Sequence, residues 1–293
     1  MLCNLIYNRP EAEPNQNYIG FYRRACTRRG VDFLVLYKED IDAGITRLPE
    51  QGFVINRTRS LALAQQLEAK GLPVFNNSRI TLLGNDKLAA LHYIEEIGLP
   101  ILKTSEHIED FDRYPLVMKS RDGHGGTEVF LLHAPEDALR FQQQAEKDRI
   151  AIAKENGTAP SLPIRWIYQD VADTPGKDLR VYVTGNRITA AMLRSSDSDF
   201  RSNFCLGGQA SFYTLSPAEE DTVQKIMSDL SIGHCGIDFL FHRGHLIFNE
   251  LEDVVGSRML YSYTNIDVVS DYLDFILSEV TIHSASCFDR NGS

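Results

Sequence analysis

Short apolar runs alternate with amphipathic stretches along residues 1–80. LCNLIY and DFLVLY read as buried strands around a helical YIGFYRRACTRRG, and GFVINR and PVFNN as strands around a helix, RSLALAQQLEAKG. In that helix Leu61, Ala64, Leu67 and Ala69 keep one face, and Gly71 followed by Pro73 stops it. Such alternation predicts a small α/β layer with parallel strands, as in Rossmann-type halves. No G-x-G-x-x-G follows the first strand, so no dinucleotide site is expected there.

Asn85 or Asp86 can cap the next helix, KLAALHYIEEIG, which Gly98 ends ahead of Pro100. A β-rich region follows, then a surface helix in APEDALRFQQQAEKD and an aperiodic loop in AKENGTAPSLPI. WIYQDV and DLRVYVTGNRITAAMLR read as strands, and SSDSDFRSNFCLGG as a polar loop. Ser216, Pro217 and Glu219 make a capping-box start for a helix at SPAEEDTVQKIMSDL. GIDFLFHRGHLIFNELEDVVGSRMLY reads as a hairpin and loop. A final helix is expected over Asp267 to Glu279, with a loose tail.

The hairpin carries chemistry. With a three-residue loop, His242-Arg243-Gly244, period-2 alternation puts Ile237, Phe239, Phe241, Ile247 and Leu251 on an apolar face. Asp238, Leu240, Leu246, Phe248, Glu250 and Glu252 then share the other. Three acids crowded on one face repel unless a cation sits among them, and hard oxygen ligands suit Mg2+ or Mn2+. A two-residue loop sends Asp238 and Glu250 to opposite faces, and a solvated acidic edge is the plain alternative.

Composition narrows the class. The chain has 293 residues, 43% hydrophobic and 24% charged, enough for a substantial core in about two domains. A net charge of −10 and a pI near 5.3 argue against a broad nucleic-acid surface, although not against a local basic pocket. Cys3, Cys26, Cys205, Cys235 and Cys287 are scattered and never form C-x-x-C, which fits reduced thiols. MLCNLIYNRP lacks a basic n-region, and no long apolar stretch exists. A cytoplasmic protein without membrane contact is expected, with homo-oligomerisation open.

KSRDGHGGTEVFLL places Gly123, Gly125 and Gly126 between Lys119 and a hydrophobic run. A glycine loop beside a lysine lets backbone N–H groups approach phosphate; the alternative is a hairpin turn with an incidental lysine.

Lys87, Lys119 with its glycine loop, QDV, DLR, DFRSN, GID and NELE stand in one order. That order resembles the ATP-grasp superfamily, specifically the RimK-like carboxylate–amine ligases, over residues 53 to 275. The resemblance implies an N-terminal Rossmann-like (pre-ATP-grasp) α/β domain at 1–82. An ATP-grasp fold of two α+β lobes follows, at 83–169 and 170–293, clamping ATP between them. It implies that Lys87 and Lys119 contact nucleotide phosphates and that Gly123, Gly125 and Gly126 form a lid over them. Asp170 and Val171 fall at the hinge that reads adenine, Asp178 near the ribose and substrate side, and Asp238, Glu250 and Glu252 at the metal-ligand positions. The activity implied is ATP-dependent joining of a small carboxylic acid to an amine, plausibly an amino acid or peptide. A kinase or a non-catalytic ATP-binding module are the alternatives.

One departure stands out. The family usually reads Glu-x-Asn where this chain has Glu250-Leu251-Glu252, which adds a charge beside the triphosphate. DVVGSRMLY also lacks the family's small-residue and proline pattern and puts Arg258 where substrate would arrive. Arg201 and Asn203, in a polar loop with Gly207 and Gly208, are candidates for stabilising oxyanions at the acyl centre. Arg180 and Arg194 are candidate carboxylate forks, or surface ion pairs. His124 invites a general-base role, although exposed loop histidines are common. Cys205 and Cys235 read as ordinary thiols and Trp166 as core packing. Specificity is expected around Asn56, Arg57 and the Arg258 loop.

Overall fold

A computed structural model describes residues 1–155, 162–196 and 209–289, without the side chains of 283–289. Three sheets organise the chain. The first holds β1 (Leu2–Tyr7), β2 (Asp32–Tyr37), β3 (Phe53–Arg57) and β4 (Val74–Phe75), in the order β2-β1-β3-β4 and parallel throughout. Its central strands are buried on both faces, which is why their sequences read as continuous apolar runs. Cys3, Leu5 and Tyr7 face the helix Gln16–Arg28, whereas Ile6 and Val54 face Leu63, Ala64 and Leu67 of the helix Leu61–Ala69. The first of these cores also takes in Val269, Tyr272 and Ile276, so the final helix, Val268–Asp289, packs on the N-terminal unit. That helix runs well beyond Glu279, where it was expected to stop.

The second sheet holds β5 (Thr104–Ser105), β6 (Leu116–Ser120), β7 (Val129–Leu132) and β8 (Trp166–Asp170) in the order β5-β8-β6-β7, all antiparallel. Leu116, Met118, Leu132 and Tyr168 form its core under Ala138 of the helix Pro135–Glu155, and Trp166 packs there against Phe130. The third sheet holds β9 (Lys177–Thr184), β10 (Arg187–Ser195), β11 (Gln209–Tyr213), β12 (His234–His242) and β13 (His245–Glu252), antiparallel in the order β11-β10-β9-β12-β13. Two helices close one face of it. Leu91 and Ile94 come from Lys87–Glu96, and Val223 and Ile226 from Pro217–Met227, whose capping box is present as expected. A helix over Ser78–Asn85, capped by Asn77, was not expected from the sequence.

The β12–β13 hairpin differs from the reading above in two linked ways. His242 pairs with His245, so the loop is Arg243-Gly244 alone, with φ of 52° and 78°, the left-handed pair that a tight two-residue turn needs. A bulge then breaks the register: Asp238 faces Glu250, but Phe239 faces Phe248, leaving Asn249 as the extra residue. The bulge cancels the shift that the shorter turn imposes, so Asp238 and Glu250 keep one face after all. Leu246 and Phe248 move to the apolar face with Ile237, Phe239 and Leu251, while Ile247 leaves it to pack near Leu240.

Candidate active site

A cleft opens between the second and third sheets, and the lysine–glycine stretch forms one wall. β6 and β7 pair antiparallel from Lys119 and Val129, so the stretch is a hairpin loop and also a cover over the cleft. The hairpin reading holds. A Cβ at Gly123 would lie 1.8 Å from Ser120 Oγ and 2.6 Å from Glu128 Oε2, so those side chains or the loop would have to shift to admit one. Gly125 and Gly126 take φ of 71° and 76°, which glycine adopts without strain.

Lys119 sits 4% exposed in β6, donating to Gln169 Oε1 and Asn249 Oδ1, each at 3.0 Å. Burial pushes its ammonium down to about 8; Lys87 pushes the same way, and Glu250 opposes. Lys87 opens the helix Lys87–Glu96, whose N-cap Asp86 accepts from the Leu88 and Ala89 N–H groups. Asp86 also pairs with Arg121 at 2.7 Å, which ties the start of that helix to the loop after β6. From there Lys87 Nζ reaches the Gly123 carbonyl and lies 3.7 Å from Glu250.

The cleft therefore gathers Lys87, Lys119, Gly123, Gly125, Gly126, Asp170, Val171, Asp178 and Glu250. Two further lining residues, Gln169 and Asn249, were missed. Strict alternation turns Asn249 away from Glu250; only the bulge lets neighbours in sequence both reach Lys119 and Lys87. Gln169 carried no signal beyond its place beside Asp170.

Behind the cleft the third sheet carries a buried charge ladder. Register places Asp178 opposite Arg194 and Arg180 opposite Asp238. Arg194 donates to both oxygens of Asp178 at 2.6 Å and to Asp238 Oδ2 at 2.7 Å. Arg180 donates to both oxygens of Asp238 at 2.7 Å and meets Glu252 at 2.5 Å. Burial raises the Asp238 carboxyl, but the two guanidiniums outweigh it and hold the group down at about 2. Burial raises Glu252, with Asp238 and Glu250 adding to the effect against Arg180.

The ladder engages the acids of the expected metal centre. The cation among the three acids is arginine: Asp238 and Glu252 are committed to Arg180, and Glu250 faces Lys87. Among the described residues no group of three His, Cys, Asp or Glu side chains is arranged to hold a metal ion. The hairpin alone does not reveal this, because β9 and β10 bring the arginines. Glu250 is the member of the set without an arginine.

A second cavity adjoins the first. His124, Gly125, Arg194 and Glu250 border both, and Arg180, Glu252, Gly256 and Arg258 line the second alone. The His124 imidazole is pushed down to about 4, first by desolvation and then by the Arg59 and Lys87 charges. Asn56 and Arg57 line neither cavity. Arg57 is buried against the Tyr7 and Tyr18 rings and donates to the Val254 and Val255 carbonyls, bracing the loop that leads to Arg258. Arg201, Asn203, Cys205, Gly207 and Gly208 lie outside the described residues. Cys3, Cys26 and Cys235 are buried free thiols. Among the described residues no helix is long and apolar enough to cross a membrane.

A lysine- and glycine-walled cleft clamped between two antiparallel sheets, behind a parallel α/β unit, defines an ATP-grasp protein. Residues 85–276 match the RimK-like ATP-grasp domain, and the chain belongs to that family. It is 26% identical over 253 residues to a probable alpha-L-glutamate ligase of Maridesulfovibrio salexigens, covering 83% of this chain and 79% of that one. Its fold is similar to that of a RimK-domain ATP-grasp protein from Sphaerobacter thermophilus. There the TM-score is 0.66 at 18% identity, covering 94% of this chain and 99% of that one. It is also similar to the ATP-grasp ligase PsnB, solved with a phosphomimetic precursor variant, Mg and ADP. That likeness has a TM-score of 0.63 at 14% identity, covering 94% and 98%.

Proposed function

We propose that the protein is an ATP-dependent carboxylate–amine ligase. One observation carries the reading: the lysine- and glycine-walled cleft and the arginine-lined cavity meet at His124, Gly125, Arg194 and Glu250. A nucleotide sensor needs the first cavity alone, a kinase also needs room for one acceptor, and a ligase needs room for both an acid and an amine beside the nucleotide.

A carboxylate is a poor electrophile. ATP supplies the γ-phosphoryl group that converts one substrate's carboxylate to an acyl phosphate, with ADP leaving. The amine of the other substrate then attacks the acyl carbon; the C–N bond forms, the C–O bond to phosphate breaks, and the amine loses a proton. The protein's part is positioning and charge neutralisation. Lys87 and Lys119 offset phosphate charge, the loop of Gly123, Gly125 and Gly126 covers it, and backbone groups of Asp170 and Val171 meet the adenine. Asp178 faces the ribose and substrate side. Arg180 is a positioning residue, holding Glu252 in the second cavity and the buried Asp238 behind it. Arg201 and Asn203 are the proposed oxyanion partners. Glu250 would hold a Mg2+ accompanying the nucleotide and so help offset the phosphate charge, while Arg180 and Arg194 engage Asp238 and Arg180 faces Glu252. The buried free thiols of Cys3, Cys26 and Cys235 suit a reducing, cytoplasmic setting.

ADP release measured against pairwise mixtures of carboxylic acids and amino acids tests the reading. Release requiring both partners is the expected result. Release with a hydroxyl acceptor alone makes the protein a kinase, and nucleotide binding without turnover makes it a sensor.

A further inference from the structure

The second cavity contains a guanidinium with nothing to hold. Arg258 is exposed within it, and among the described residues it has no hydrogen bond or ion pair. Arg180 and Arg194, in the same cavity, are both committed to carboxylates.

The backbone that presents Arg258 is braced from several sides. Arg57 donates to the Val254 and Val255 carbonyls, and Tyr182 donates to the Gly256 carbonyl at 3.0 Å. Ser257 is buried, with its hydroxyl 3.1 Å from Tyr18 Oη and 3.4 Å from His234 Nε2. Met259 and Leu260 sink into the core shared by the first sheet and the final helix. A fixed backbone carrying an uncommitted planar cation suits an anion, since only the arginine side chain remains to be ordered when one binds.

Two features restrict that anion. The same cavity carries the carboxylate of Glu250, the acid there without an arginine, which disfavours a dianionic phosphate and favours an ammonium. Arginine matches a carboxylate through two parallel N–H···O bonds. A ligand with an amino group and a carboxylate answers both charges, whereas a plain amine leaves Arg258 unmatched.

We propose that Arg258 is the specificity-determining residue of the second cavity. It holds a carboxylate belonging to the amine substrate. This deepens the ligase reading and rests on it.

Binding tests it without turnover. The full-length protein is saturated with a non-hydrolysable ATP analogue and Mg2+, then titrated by calorimetry with each common L-amino acid and with its carboxamide. At least one amino acid binds, its carboxamide binds about tenfold more weakly or worse, and Arg258→Ala removes the difference. Arg258→Lys keeps part of it. Arg258 is exposed, so unchanged thermal midpoints are expected for both variants. The proposal is overturned if no amino acid binds the nucleotide-loaded protein, if acid and carboxamide bind alike, or if Arg258→Ala leaves the preference intact. Those results leave the ATP-dependent reading standing. Failure of the nucleotide itself to bind removes that reading and the proposal together.

Discussion

Asp238 and Arg180 lie directly opposite each other on β12 and β9, and both oxygens of Asp238 accept from Arg180 at 2.7 Å. The pair is almost wholly shielded from water, with Asp238 1% exposed. Asp238→Asn leaves Arg180 and Arg194 short of a buried countercharge and is expected to cost about 3–5 kcal/mol. Urea denaturation measures it. The folded-state carboxyl, at about 2, lies below the unfolded value near 4. Its contribution to stability is therefore present above about pH 4 and lost as pH falls toward 2. The acid limb of wild-type stability should show this loss, and that of Asp238→Asn should be flatter.

Lys119 gives a binding prediction of opposite sense. Its folded value of about 8 means that the ammonium discharges as pH rises through that point. Affinity for ATP should decline above about pH 8, and binding there should take up a proton. Lys119→Ala should lower affinity about tenfold or more and abolish the uptake. Calorimetry in buffers of differing ionisation enthalpy reads both; a pH-independent affinity from 7 to 9.5, roughly the window around that value, speaks against a phosphate role for Lys119.

Gly123→Ala forces a methyl group against Ser120 Oγ and Glu128 Oε2. Those side chains or the loop must shift, so nucleotide affinity should drop while the thermal midpoint stays within a few degrees. Adding Ser120→Ala removes the nearest obstructing atom and should recover part of the affinity. A double variant no better than the single one would place the obstruction elsewhere.

Glu250 and Glu252 should separate in their response to metal. Glu250→Gln removes the carboxylate that lacks an arginine and should raise the Mg2+ concentration needed for nucleotide binding. Glu252→Asn, which restores the family's usual residue, should leave that requirement unchanged, because Glu252 is held by Arg180. If Glu252→Asn shifts the metal curve as far as Glu250→Gln, Arg180 gives up Glu252 when metal arrives.

Much of this protein is local enough to be read from its residues. The strands β1 and β3 show as continuous apolar runs because both faces are covered, and the helix after Ser216 announces itself through contacts within one turn. Lys119 and its glycines are neighbours in sequence, so their joint presence in the cleft needed only a hairpin. The same alternation misassigned Leu246, Ile247 and Phe248, because a tight turn and a bulge offset each other and neither leaves an apolar signature. What surrounds Asp238 was beyond the sequence for a different reason. Arg180 and Arg194 stand 58 and 44 residues away, and they reach it because the sheet runs β10-β9-β12. That order belongs to the packed sheet, whose opposite face is covered by helices including Lys87–Glu96 and Pro217–Met227. A row of acids in one hairpin thus predicted a cation, and tertiary structure decided that the cation was arginine.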